Sequence, residues 1–311
     1  MRTGDDNQRA CGNQDRNEHD GRDGPDVAED LGVHGRHQAE PVGIGHAAGE
    51  LEIEALPGAI AIHGGEQDFA RAEECARRAI ALGCKGLMVP SRHPRGHSPS
   101  HIGLDPVWRA AEEAGLPILF HVGGEEKMHP AYVENGLPKV KDFHGGEENF
   151  TSLTYMAIPH SVMLSLAALI IDGVLDRFPK LKVGVIELGA SWLPGWMRYL
   201  DAGAAAFIKN EDRLKRLSAK PSEIVRRQVR VTPYPHEDAG WIIANSGEDI
   251  CLFSSDYPHV EGGRNPLKRF DESLASVSSA ARTRFYAENF IDLMGEGLAE
   301  DLRRPQHLRA A

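Results

Sequence analysis

The stretch DICLFSSDYPHVEGG, Asp249 to Gly263, decides the fold. Its apolar run, Ile250 to Phe253, is bounded by turn-forming residues and reads as a strand buried on both faces, the kind a parallel sheet requires. The chain leaves that run through a carboxylate, an aromatic ring and an imidazole, Asp256, Tyr257 and His259, and then breaks on Gly262 and Gly263. Parallel α/β folds place their chemistry at the carboxyl ends of their strands. Asp256 therefore matters only if other strands end in the same way.

Two others do. The segment PILFH ends at His121 and VGVIE at Glu187. In a parallel barrel all strands open onto one face, so residues far apart in sequence converge there. Taken singly, each has a plainer role: His121 bonded to nearby backbone, Asp256 capping the turn DYPH, Glu187 a paired buried carboxylate. Together, an imidazole and two carboxylates make a donor set suited to a divalent zinc or manganese ion, which can polarise a carbonyl. His121, Glu187 and Asp256 are thus the candidate metal ligands, with Asp256 and Glu187 also the candidate catalytic groups.

Around them, His160 is placed at the start of a helix facing the same rim, and His259 and Glu261 lie just past Asp256. His160, His259 and Trp192 are the candidate substrate contacts, although Trp192 and Trp196, four residues apart, read first as core packing. His93, His97 and His101 sit in a Pro/Gly/Ser-rich loop that does not hold ligands rigidly.

The rest of the chain supports a parallel sheet. From Gln67 onward helix and strand patterns alternate: the helix DFARAEECARRAIALG, the strand CKGLMVP, the helix PVWRAAEEAG, the strand LPILFH, then a long loop from Val122 to about Pro159. Next come the helix HSVMLSLAALIIDGVLDRFP, the strand LKVGVIE, a helix with the stripe Trp192, Trp196, Tyr199 and Leu200, the strand RQVRVTP and the helix HEDAGWIIANSG. The strand DICLFSS and a closing helix, SAARTRFYAENFIDLMG, complete the series. Such alternation predicts βαβ units and an α/β fold, a TIM (β/α)8 barrel that is incomplete or irregular at its N-terminus. One further strand is expected at Ala59 to Ile62.

Residues 1–50 contain no lysine, and their large apolar residues are Met1, Val27, Leu31, Val33, Val42 and Ile44. A segment so poor in apolar side chains is expected to be disordered or poorly packed. The organisation expected is therefore a leader over 1–58, a barrel over 59–296 and a tail over 297–311.

A formal net charge of -11 over 311 residues argues against nucleic-acid and acidic-membrane partners and for a small-molecule substrate. The four cysteines form no CxxC pair, so neither a zinc ribbon nor a disulfide framework is indicated. The N-terminus lacks the apolar core of a signal peptide, and MLSLAALII, Met163 to Ile171, is the longest mainly apolar stretch and too short to span a bilayer. A cytoplasmic location is expected.

The segments LPILFHVGG, GVLDRFPKLKVGVIELGASWLPGWMRYLD and LFSSDYPHVEGG, in this order, resemble the amidohydrolase-related family, whose branch includes aminocarboxymuconate semialdehyde and resorcylate decarboxylases. The similarity covers about Gln67 to Gly295. It implies a metal-dependent hydrolase or decarboxylase, often dimeric, with His121 and Asp256 as metal-binding residues of the middle and last strands. Two departures stand out. Glu187 occupies the place of the decarboxylases' catalytic histidine, and the family's first-strand Asp-x-His-x-His signature is not found before Phe69. GVHGRH, Gly32 to His37, offers His34 and His37 without the apolar neighbours of a strand.

The reading favoured is a metal-dependent hydrolase of a small carbonyl or carboxylate compound, because a carboxylate at 187 suits proton abstraction from water. A metal-dependent decarboxylase (carboxy-lyase) is the alternative within the superfamily. A catalytically inactive barrel acting as a binding protein is the alternative from another class.

Overall fold

The computed structural model describes residues 55–56, 59–61, 69–141, 151–257 and 262–303. The chain divides into two units, Met1–His46 and Ala47–Ala311, and the described residues all belong to the second. In order they form β1 (Ala55–Leu56), β2 (Ala59–Ala61), α1 (Phe69–Ala81), β3 (Gly86–Met88), α2 (Asp105–Glu113), β4 (Ile118–His121), α3 (Ser152–Ile171), α4 (Val174–Arg177) and β5 (Val183–Ile186). There follow α5 (Leu193–Phe207), α6 (Asp212–Lys215), α7 (Pro221–Gln228), β6 (Val229–Val231), α8 (Ala239–Ser246), α9 (Pro266–Ser273), α10 (Ser279–Thr283) and α11 (Asn289–Met294).

The described strands make one sheet in the order β1-β2-β3-β4-β5-β6. From β2 onward all pairings are parallel, with helices between neighbours. Strands laid down side by side in chain order, each after a helical crossover, build a barrel wall, and they bring the ends of β4 and β5 to one face. The N-terminal edge is irregular, as expected: β1 runs antiparallel to β2. That hairpin places residues 55 and 56 with the sheet, so the leader ends earlier than residue 58. At the other end, Gly297 lies where an added Cβ would come 2.6 Å from the Lys85 carbonyl oxygen, so the first residues of the expected tail pack on the barrel.

The last expected strand is reduced to a single parallel bridge between Val231 and Cys251. Beyond it the closing helices take the backbone groups that a ladder would use. Phe253 N–H donates to Phe285 O at 2.8 Å, and Asn289 Nδ2 donates to Cys251 O at 2.7 Å. Phe285 belongs to a π-turn, Arg284–Glu288, between α10 and α11.

Each helix covers the sheet with a face that its sequence dictates. α1 turns Ala72, Ala76 and Ala79 inward, small side chains that allow close approach to Val107, Trp108 and Ala111 of α2. α3 buries Val162, Leu166, Leu169 and Ile170 completely, each worth about 1.5–3 kcal/mol.

α3 also corrects two expectations. It begins at Ser152, because Thr151 and Thr154 close a reciprocal cap in which Thr151 N–H donates to Thr154 Oγ1 at 2.6 Å. The helix then runs through Pro159, at the cost of the bond that a residue with an N–H would make there. The long loop therefore stops at Thr151. By length and composition α3 is also long and apolar enough to cross a membrane, with a mean hydropathy of 1.7, unlike the nine-residue stretch expected; here it packs against the core. In the α5 stripe, Trp196 and Leu200 are buried, but Tyr199 is 80% exposed and leaves the predicted face.

Candidate active site

β4 delivers His121 and β5 delivers Glu187, its first residue beyond the strand. His121 pairs in register with Ile186, so on a regular strand Glu187, one residue further, would face the other way; its positive φ breaks the alternation and brings the carboxylate back beside the imidazole. His121 Nε2 lies 2.9 Å from Glu187 Oε2, and the other ring nitrogen, Nδ1, lies 2.9 Å from the carbonyl oxygen of Val122. Both partners are acceptors, and a carbonyl can only accept, so Nδ1 carries a hydrogen. A neutral imidazole has no second hydrogen for the carboxylate. The contact between Nε2 and Oε2 therefore needs a proton or a cation shared between the two groups. Without a metal, burial lowers the proton affinity of the ring, but the Glu187 hydrogen bond, the Val122 carbonyl and the charges of Glu187 and Asp256 outweigh it and hold the pKa above the usual imidazole range.

Glu187 has φ 58° and Asp256 φ 55°, the two non-glycine residues among the described ones with positive φ. This left-handed region costs an L-residue roughly 1–2 kcal/mol, so surrounding contacts must impose it. For Glu187 they come from β6 and its exit. Glu187 N–H donates to Thr232 Oγ1 at 2.9 Å, and Tyr234 Oη donates to the Glu187 carbonyl oxygen at 2.7 Å. For Asp256 the returning chain packs close: an added Cβ on Gly262 would meet the Ser255 carbonyl oxygen and lie 3.1 Å from Asp256 Cβ. That close approach explains the first of the two glycines that end the quoted stretch.

Asp256 is half-buried, and its charge reaches both His121 and Tyr234. A divalent ion fits the His121–Glu187 pair: two donors bound to one ion at about 2.0–2.2 Å each stand roughly 3 Å apart, and a carbonyl on the far nitrogen is the usual support of a ligating imidazole. The expected three-donor group does not stand complete. Among the described residues no set of three or more His, Cys, Asp or Glu side chains is arranged to hold a metal ion. Asp256 sits five residues past the Cys251 bridge, so a left-handed turn, and not the ladder, sets its place.

The remaining candidates separate. His160 is exposed in the middle of α3, away from the helix start at which it was expected. Trp192 is half-buried at the α5 N-terminus, where its indole N–H donates to Gly189 O at 2.9 Å and its ring meets Trp196 edge-on at 5.3 Å. His259 and Glu261 lie outside the described residues, as do His34 and His37.

Sequence reasoning missed the exit of β6, TPYPHE. Tyr234 and Glu237 are buried there, and His236 stacks on Tyr234 with ring centroids 5.3 Å apart. Tyr155 of α3 approaches His236, Oη to Nε2 3.3 Å; burial, aided by the Glu237 charge, pushes its phenol pKa up to about 12. Burial first, and then the charge of Glu187, raises that of Tyr234 as well. The signal was available, since ionisable residues follow β6 just as they follow β4 and β5.

A parallel barrel wall with imidazole and carboxylates at its strand exits defines the class of barrel that holds its chemistry on one rim. The chain belongs to the amidohydrolase family: that family's sequence profile matches residues 17–293, beginning well before Gln67, where the quoted resemblance starts. Among solved structures, the chain is similar to an amidohydrolase of Mycobacterium avium subsp. paratuberculosis K-10, at 25% identity and a TM-score of 0.60, covering 78% of this chain and 58% of that one. It is also similar to a dihydroxybenzoic acid decarboxylase of Polaromonas sp. JS666 with bound manganese and 2-nitroresorcinol, at 20% identity and a TM-score of 0.55, covering 76% and 69%. A third is a 5-carboxyvanillate decarboxylase of Sphingomonas paucimobilis, at 20% identity and a TM-score of 0.52, covering 76% and 65%. The last two likenesses speak for the fold. The chain thus spans less than two thirds of the length of two of these three proteins. No curated protein matches the sequence.

Proposed function

We propose that the protein is a metal-dependent hydrolase acting on a small carbonyl or carboxylate compound, with His121 and Glu187 as the pair that holds a divalent ion, zinc or manganese, and Asp256 as the neighbouring carboxylate. The observation that carries this reading is the His121 ring set between two acceptors, Val122 O and Glu187 Oε2, each at 2.9 Å. When bound, such an ion supplies Lewis acidity toward a substrate oxygen. Glu187 Oε2 and His121 Nε2 would hold the ion, Asp256 accepts a proton from the attacking water, and the Val122 carbonyl keeps the His121 ring oriented throughout. Asp256 lies near enough for its charge to act on His121, so that one carboxylate binds while the other takes up the proton.

Decarboxylation is the second reading. Two similar structures are decarboxylases of phenolic acids, and Tyr155, Tyr234 and His236 give this rim an aromatic lining. Metal analysis of the purified protein, followed by lactone and phenolic-acid panels, tests both. Lactone turnover that Glu187→Gln abolishes supports hydrolysis. Release of carbon dioxide from a phenolic acid overturns it in favour of decarboxylation. Protein without bound metal and without turnover overturns both and favours a barrel that serves only in binding.

A further inference from the structure

Glu237 is 7% exposed, and both of its carboxylate oxygens accept from backbone N–H donors. Oε1 accepts from Ser191 at 2.7 Å and Ala190 at 3.1 Å, and Oε2 accepts from Tyr234 at 2.7 Å and Ala190 at 3.0 Å. Three N–H groups from two different strand exits thus close on one side chain. Gly189 lies against it: an added Cβ there would come 3.3 Å from Glu237 Oε1 and from the Tyr234 ring, at a φ of +64°. Although Thr232, whose Oγ1 accepts the Glu187 N–H, is not bonded to Glu237, two of the segments that hold the Glu187 backbone pass through this clamp. On the β5 side it fixes residues 189–191, immediately after Glu187. On the β6 side it fixes Tyr234, whose hydroxyl binds the Glu187 carbonyl oxygen.

We propose that Glu237 is a positioning residue: by gathering the N–H groups of Ala190, Ser191 and Tyr234, its carboxylate imposes the left-handed conformation of Glu187 and so sets the Glu187 carboxylate against His121. The assignment of a chemical role to that pair rests on the function proposed above; the clamp itself does not. A glutamine fits the same space but cannot make the same bonds. One of its two terminal groups is a donor, and in either orientation it faces a backbone N–H.

The test uses the full chain and Mn2+ as probe. Crystal structures of wild type and Glu237→Gln, both without added metal, are expected to differ at Glu187: φ leaves the positive region and the separation from His121 Nε2 lengthens. Mn2+ affinity, read from free Mn2+ by electron paramagnetic resonance, is expected to fall about tenfold or more in the variant, the usual loss when a partner behind a ligand is removed. Glu237→Asp, which keeps both acceptor oxygens, is expected to recover part of that loss, and it carries the test if the glutamine variant does not fold. The proposal is overturned if Glu187 keeps its conformation in a folded Glu237→Gln, or, where only Glu237→Asp folds, if its shorter side chain leaves both the Glu187 conformation and the Mn2+ affinity at their wild-type values. It is equally overturned if Glu237→Gln only lowers the melting temperature while its folded form binds Mn2+ like wild type. Should wild type itself bind no Mn2+, the proposed function fails, and the two crystal structures still decide the clamp.

Discussion

Glu187 and Asp256 share a backbone conformation, φ 58° and 55°, that no other described non-glycine residue adopts; Glu187 directly follows β5, and Asp256 lies five residues past the Cys251 bridge. Strain of this kind clusters where surrounding structure over-determines a side chain for function. The expected consequence is an inverted stability order. At most positions Ala is more stable than Gly, but where φ is positive Gly bears no Cβ penalty. Asp256→Gly is therefore expected to be more stable than Asp256→Ala by about 1 kcal/mol, with the same order at Glu187, measured by urea unfolding of the metal-free protein.

Removing one member of the central pair should cost more than removing a group behind it. Glu187→Gln replaces an acceptor facing His121 Nε2 with a carboxamide, leaving a poorer donor for a cation. Mn2+ affinity is expected to fall roughly 100-fold or more, beyond the range for supporting partners. His121→Asn is expected to fall at least as far, while a titration of the exposed His160→Asn should match wild type.

The acid response of the barrel should depend on Asp176 in α4. Burial raises its pKa, but the Ser218 hydroxyl and N–H together with Arg227 outweigh burial and hold it below the ordinary carboxylate value. Ser218 N–H donates to Oδ2 at 3.0 Å and Arg227 Nη2 to Oδ1 at 2.9 Å. A depressed carboxylate pKa contributes stability above the unfolded value, near 3.9, and loses it as pH falls through the folded value. The urea midpoint of wild type is thus expected to fall between about pH 5 and pH 3 more steeply than that of Asp176→Asn. Parallel curves would count against this account.

Much of the sheet was legible because buried parallel strands are written as short apolar runs. β3, β4, β5 and β6 fall inside the segments read as strands, and β2 matches Ala59 to Ile62 within one residue. His121 and Glu187 were legible for the same reason, each closing such a run. The misreadings have local causes. Pro159 looked like a helix boundary, yet a cap at Thr151 had already started α3. The run Ile250 to Phe253 looked like a full strand, but the distant Phe285 and Asn289 claim its backbone groups. Glu237 was invisible as a clamp because its partners are backbone N–H groups, which no side-chain pattern announces.

The quoted stretch makes one more expectation testable. Gly262 has no positive φ that would demand glycine; what excludes a side chain is the Ser255 carbonyl oxygen and Asp256, whose Cβ and O would both lie 3.1 Å from an added Cβ. Gly262→Ala must therefore displace the Asp256 turn. A displacement near 1 Å at a reacting group can cost about 100-fold in rate, and turnover in the variant is expected to fall by that order. Gly203→Ala in α5 is the control. It meets nothing within 4 Å, and the higher helix propensity of alanine should stabilise the chain by about 0.5–1 kcal/mol with turnover unchanged. Equal activity in both variants would show that the packing of Gly262 does not set the position of Asp256.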